Sequence, residues 1–231
     1  MTSRLDNRLN AVKKLVRQGS VAADIGCDHG YLMTALVSEG ICPRGFACDI
    51  NTGPLSRAKK TISGAGLSGR IQTVLTCGLA GLPYNEISDI VIAGMGGDLI
   101  GEILLGESWT RDERLHFILQ PMTKANHLRR ILLENGFSIK SETAASVNKI
   151  VYTIMSVTYT KNVQTPDLLF QWTGKLLANI DADSLSYLEQ VAKRLIKKSR
   201  GIASSKHTGD AKKYEALAAI ICERIEKVCT E

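Results

Sequence analysis

Short apolar runs alternate, over the first two thirds of this chain, with stretches whose apolar residues recur every three or four positions. Residues 8–17 put Leu9, Val12, Leu15 and Val16 on one stripe, which predicts an amphipathic helix. The runs Val21–Ile25, Gly45–Ile50, Ile71–Leu75, Asp89–Ala93, Phe117–Gln120, Ser138–Ala145 and Ile150–Val157 predict strands. Between them, Tyr31–Glu39, Pro54–Ala65, Gly97–Leu105 and Lys124–Asn135 predict helices. Strands that take turns with crossover helices make a parallel sheet covered on both faces. The last two strands are separated only by a short turn near Ser146–Asn148, so they are expected to pair antiparallel.

After Tyr159 the pattern changes. Residues 161–167 contain Pro166 and several polar side chains and read as a linker. Beyond Leu168 there are no strand-like runs. Leu185, Leu188, Val191, Ala192 and Leu195 recur at helical spacing, as do Leu217, Ile220, Ile221, Ile225 and Val228. Two long antiparallel helices broken at Gly201–Gly209, with a shorter helix before them, are therefore expected as a hairpin or small coiled coil. Residues 1–160 form one predicted unit and residues 161–231 a second, helical one.

Composition narrows the class. The hydrophobic fraction is 44% of 231 residues, ordinary for a globular chain, and no apolar run reaches the ~20 residues of a membrane span. A charged amino terminus without an apolar core gives no signal peptide, so a cytoplasmic location is expected. The six cysteines form no C-x-x-C pair, so they are expected to be reduced and structural, with no metal site. The net charge of +6 is unevenly spread. Arg4, Arg8, Lys13, Lys14 and Arg17 crowd the first 20 residues, and a second basic cluster around Lys193, Arg194, Lys197 and Lys198 lies in the helical tail. Two such clusters suit a polyanion, although a solvated helix face would carry the same charges.

The candidate chemistry lies at three strand ends. Val21-Ala-Ala-Asp-Ile-Gly-Cys-Asp-His-Gly-Tyr31 runs from an apolar strand through an acid and two glycines into a helix. The glycines let a ligand approach the backbone, and the N–H groups opening the helix favour a carboxylate. Their G-x-x-x-G spacing differs from the G-x-G-x-x-G of a nicotinamide-binding turn. Asp24 suits an ammonium group and suits pyrophosphate poorly; S-adenosylmethionine (SAM) carries both an ammonium and a carboxylate. Phe46-Ala-Cys-Asp-Ile-Asn51 closes the next strand with Asp49, placed to accept hydrogen bonds from a ribose diol, with Asn51 as the cap of the following helix. Asp89-Ile-Val-Ile-Ala-Gly-Met-Gly-Gly-Asp98 ends a buried strand in a turn with few side chains, leaving room for a flat substrate.

These motifs together resemble the bacterial TrmK family, which methylates N1 of adenine 22 in tRNA with SAM. The resemblance rests on Arg8-Leu9, ADIGCDHGYL, CDIN, Cys77-Gly78-Leu79, AGMGG and Leu119-Gln120-Pro121-Met122, and the helical tail agrees with that family's coiled-coil domain. It implies an α/β, Rossmann-like class I SAM-dependent methyltransferase sheet, mainly parallel with an antiparallel terminal hairpin. Asp24 and Gly26 would border the methionine moiety, with Asp28, His29 and Gly30 lining the same pocket. Asp49, Ile50 and Asn51 would hold the ribose and flank the adenine, Gly78 and Leu79 would lie against the adenine, and Ala93, Gly94, Met95, Gly96 and Gly97 would floor the site near the sulfonium. The family usually has an acid where this chain has Cys77, and a thiol accepts poorly from an adenine amino group.

Tail cations would meet tRNA, and Arg8 and Pro121 are further substrate candidates. Asp28, His29 and Gln120 are the catalytic candidates, each with a plainer reading: Asp28 shapes the loop, His29 braces the cofactor turn, and Gln120 lies in an ordinary strand-end turn. A monomer is expected. Rival readings are a methyltransferase for another RNA, a protein or a small molecule, a non-catalytic nucleic-acid-binding module, and a nicotinamide dehydrogenase.

Overall fold

The computed structural model describes residues 5–178, 180–203 and 208–230. Its centre is a seven-stranded sheet in the order β3-β2-β1-β4-β5-β7-β6. The strands are β1 (Ala22–Ile25), β2 (Gly45–Asp49), β3 (Ile71–Leu75), β4 (Asp89–Gly96), β5 (His116–Thr123), β6 (Phe137–Val147) and β7 (Ile150–Tyr159). β1 to β5 pair in parallel, while β7 pairs antiparallel with both β5 and β6. All seven strands predicted from periodicity are present. β4 and β5 run three residues further than expected, because their pairing continues past Ala93 and Gln120 through irregular register.

The helices of this layer are α1 (Asn7–Leu15), α2 (Tyr31–Ser38), α3 (Thr52–Gly64), α4 (Gly97–Leu105) and α5 (Ala125–Glu134). Strand residues alternate between two apolar layers, as a pleat demands. Ala23, Ile25, Phe46, Ile90, Ile92, Phe117 and Leu119 pack with Ile100 and Leu104 of α4 and Leu128 and Leu132 of α5. Ala22, Ala47, Val91 and Ile118 face Val12 of α1, Leu32 and Leu36 of α2, and Leu55 and Ile62 of α3. The expected sheet with helices on both faces is the observed one. At its amino edge, Asp89, His116 and Ser156 form a buried chain, with His116 Nδ1 3.1 Å from Asp89 Oδ2 and Nε2 2.8 Å from Ser156 Oγ. Arg17 closes it by donating its backbone N–H and Nε to Asp89 at 2.9 and 2.7 Å. These three residue types could form a nucleophilic triad, but here they are buried on the side away from the open edge and serve to tie α1 to three strands.

The tail holds α6 (Leu168–Thr173), α7 (Ala182–Ala203) and α8 (Thr208–Thr230). The predicted break was too wide: Gly201 continues α7 and Gly209 lies within α8. Leu188, Val191 and Leu195 of α7 pack with Leu217 and Ile221 of α8 and with Ala144 and Val151 of the β6–β7 hairpin. Tail and sheet are therefore joined by a shared apolar cluster.

A buried ion pair reinforces that seam. Arg129 of α5, with no exposed side-chain surface, donates Nε to Glu142 of β6 at 2.9 Å and Nη1 to the carbonyls of Gln171 and Trp172 at 2.8 and 3.1 Å. Burial opposes the guanidinium charge, but Glu142 and Tyr187 hold it firmly protonated, above its ordinary range. Glu142 also accepts the Lys175 N–H at 2.5 Å. Removing one member of a buried pair strands the other, so Glu142→Ala is expected to destabilise the fold by about 3–5 kcal/mol. Urea denaturation followed by circular dichroism measures this, and a loss below about 1 kcal/mol would show the pair to be dispensable.

Candidate active site

The chain leaves β1 toward β2 and β3 on one side, then crosses to β4 on the other. In open α/β sheets this reversal leaves a crevice at the carboxyl ends of the two central strands. Asp24 of β1 pairs with Ala47 of β2 and Val91 of β4, so Asp49 and the Ala93–Gly94 turn lie at the same edge. The three motifs thus converge on one crevice.

Asp24 is 5% exposed, and no described residue donates a hydrogen bond to its carboxylate. Burial raises its pKa to about 7, the positive charge of Arg8 works against that rise, and Asp49 adds to it. A buried carboxylate in this condition needs a cation with N–H donors, and an α-ammonium group supplies one. Asp49 uses one oxygen to accept the Asn51 N–H at 2.9 Å, leaving the other for a ligand. Asn51 occupies the cap position of α3 but makes no side-chain cap bond, contrary to expectation; the Asp49 carboxylate organises this turn instead. Gly26 has φ +77°, a left-handed conformation that a side chain would strain, and the terminal methyl of Met95 lies so close that a Cβ would collide with it. Gly30, at φ +68°, opens α2 and packs against Ala58.

Asp28 and His29 stand at the mouth. Asp28, exposed and at φ +45°, bonds Arg57 at 2.9 Å and lies 3.6 Å from His29 Nε2. His29 stacks on Tyr31 with ring centroids 5.1 Å apart. Ile50 is 62% exposed at the end of β2, placed to cover a flat ring. Gly78 has φ +59°, with Cys77 exposed beside it.

Several expectations need correction. The Leu79 side chain is buried among core residues under that turn, so only its backbone is left to meet a ligand. Gln120 has no exposed surface, so it cannot touch a substrate base; its Oε1 accepts from Arg8 at 2.7 Å and from the Gly94 N–H at 3.0 Å. Arg8 points inward onto Gln120 and toward Asp24, so it is a positioning residue and not an outward tRNA contact. Gly97 is buried against the Lys124 carbonyl, leaving Ala93 to Gly96 as the open part of the turn. The Arg8–Gln120–Gly94 chain was not legible in the sequence as a unit, because its members are 26 and 112 residues apart.

In the tail, Lys193, Arg194 and Lys197 are exposed, with Lys193 lying 3.9 Å from Glu189. Lys198 differs: its ammonium sits over Tyr214 and Trp172, 4.4 and 5.5 Å from the ring centroids. This contact holds α7 to α6 and α8 and gives Trp172 a role. Trp109 stacks on Tyr84, 5.4 Å apart. The described cysteines are free, and burial pushes the thiols of Cys27 and Cys48 far up, which makes them inert; the side chain of Cys229 lies outside the described residues.

Residues 5–155 match the family described as a methyltransferase domain. This chain belongs to it. It is 36% identical over 141 residues to the tRNA (adenine(22)-N(1))-methyltransferase of Bacillus subtilis, an alignment covering 60% of this chain and 58% of that enzyme. The structure of the Streptococcus pneumoniae protein described as a putative tRNA (m1A22) methyltransferase, in complex with SAM, is similar at TM-score 0.82 and 26% identity, covering 94% of this chain and 99% of that one. The Mycoplasma capricolum TrmK structure with S-adenosylhomocysteine matches at TM-score 0.76 and 29% identity over 98% of each chain. The resemblance to the TrmK family is borne out.

Two measurements test the crevice. Asp49→Ala should weaken SAM binding by roughly a hundredfold or more, the loss of two hydrogen bonds to a charged acceptor at about 1.5–3 kcal/mol each, with the fold intact. Unchanged calorimetric affinity would reject the ribose site. Asp24 should make SAM affinity pH-dependent: below about 7 a proton competes with the ligand's ammonium for the carboxylate, so affinity should fall as pH drops. Calorimetry in buffers of different ionisation enthalpy should detect proton release on binding at about pH 6 to 7, where the ligand's α-ammonium keeps its proton; no release there would reject Asp24 as its partner.

Proposed function

We propose that this chain transfers the methyl group of SAM to N1 of adenine 22 in tRNA. The observation that carries the reading is the buried, unpartnered Asp24 beside Asp49 and an open glycine turn. SAM supplies an electrophilic methyl on a sulfonium. Asp24 takes the ammonium, the Asp49 carboxylate takes the ribose diol, and Ile50 covers the adenine. The Gly78 turn and Asn51 border the nucleoside. Asp28 and His29 stand where they can contact either the ligand or an entering base.

N1 of neutral adenine carries its own lone pair, so the chain needs no strong general base. Its task is alignment, which can supply roughly 7–11 kcal/mol of a barrier. Arg8 and Gln120 serve that task by holding the Gly94 turn, which leaves a gap for the purine. N1 is tied up in folded tRNA, so the base must be turned out, at a cost of a few kcal/mol. The helical unit 161–231 offsets that cost through phosphate contacts from Lys193, Arg194 and Lys197. No described helix is long and apolar enough to cross a membrane. The chain acts in the cytoplasm, as a monomer and without a metal.

Incubating tRNA with enzyme and SAM and analysing the nucleosides by mass spectrometry tests the reaction; 1-methyladenosine at position 22 is the expected product. Methylation only of protein or a small molecule would overturn the reading. Reversing Lys193, Arg194 and Lys197 to Glu should weaken tRNA binding in a filter assay and leave SAM affinity alone; full tRNA affinity would remove the tail from the interface.

A further inference from the structure

Where β5 runs past Gln120, a small notch opens at the seam between sheet and tail. Pro121, Ala125 and Val151 are among its apolar lining residues, and Lys124, Tyr152 and Arg194 among its polar ones. Lys124 projects from a non-glycine residue at φ +54°, at the cap of α5, and pairs with Asp98, whose other oxygen lies 3.2 Å from His127 Nδ1. Arg194 comes from α7 on the opposite side, exposed and unpaired with any described residue. The Tyr152 hydroxyl, on β7, also has no described partner. Arg194 and the Tyr152 phenol, from different elements, thus line one notch, while the neighbouring Lys124 ammonium is already paired with Asp98.

The notch's position is as informative as its charge. Pro121 is paired with Met95 and Thr123 with Gly96, so it begins one strand over from the glycine turn. Tyr152 lies one strand further along, on β7, so it is two strand spacings, about 10 Å, from the glycine turn, the scale of one extended nucleotide. Its volume is about 30 Å³, room for a phosphate oxygen or a hydroxyl but not for a base. Cationic side chains and hydroxyls in such a place are what hold a nucleic-acid backbone in register.

We propose that the notch binds one backbone phosphate of the tRNA, next to the nucleotide whose base enters the glycine gap, with Arg194 as counter-charge and the Tyr152 hydroxyl as donor. It rests on the reading of the chain as a tRNA methyltransferase and adds a specific site to it. Because Tyr152 belongs to the sheet and Arg194 to the tail, the phosphate joins the two across their seam. Register at the reacting base is then set here, while the outer tail cations contribute affinity without register.

The test uses the full chain and tRNA assembled with a single neutral linkage, a 2′-O-methyl methylphosphonate, at each position near the target in turn. Arg194→Ala should raise KM for unmodified tRNA roughly tenfold, the scale of one charge-assisted hydrogen bond, and lower the salt slope of binding by about one, while SAM affinity and melting temperature hold. Tyr152→Phe should raise KM by a smaller factor and leave the salt slope alone. At one position, neutralising the phosphate should cost the Arg194→Ala variant much less than it costs the wild type. Fully additive losses at every position, in a wild type that methylates tRNA, would overturn the notch and leave the enzymatic reading standing. A wild type that leaves tRNA unmethylated would overturn both.

Discussion

The crevice between β1 and β4 exists because the chain reverses its winding there, and no crossover helix can cover both sides of that reversal. Every candidate ligand contact depends on this gap. It brings together an acid from the end of β1, an acid from the end of β2 and a nearly bare turn from the end of β4, three segments far apart in sequence. It also leaves Asp24 buried and without a hydrogen-bond donor among the described residues.

Such a carboxylate is costly to keep, and the fold limits the cost with a single cation. Arg8 reaches in from α1, lowers the penalty on Asp24 and bonds Gln120, which in turn holds the Gly94 N–H. One guanidinium therefore couples Asp24 to the Gly94 turn. α1 is fastened for this task at both ends, by its Asp6 cap and by the Arg17–Asp89 contacts just beyond it. A basic amino terminus that suggested an RNA-binding surface in one dimension is partly an internal brace in three.

The helical tail follows a similar economy. Its apolar stripe needs a partner and finds the β6–β7 hairpin, while Arg129 and Glu142 satisfy the polar groups that this contact buries. Lys198 settles onto two aromatic rings and helps hold the tail together. Neighbouring basic residues on α7 have different surroundings, and these, more than charge, separate Arg194, which faces a notch, from Lys198, which faces rings.

Periodicity alone determined the elements of this protein, because strands buried on both faces and amphipathic helices each have a spacing that packing enforces locally. The acids at the strand ends and the glycine turns were legible for the same reason: each lies within one short segment whose backbone geometry demands those residues. Tertiary structure alone decided the rest. Gln120 is buried and Arg8 turns inward because of contacts spanning 112 residues, Leu79 is core because a whole layer closes over it, and Tyr152 and Arg194 line one notch only where the tail docks. No local pattern encodes such pairings. They depend on which surfaces meet when the layers assemble, and burial is a property of that assembly.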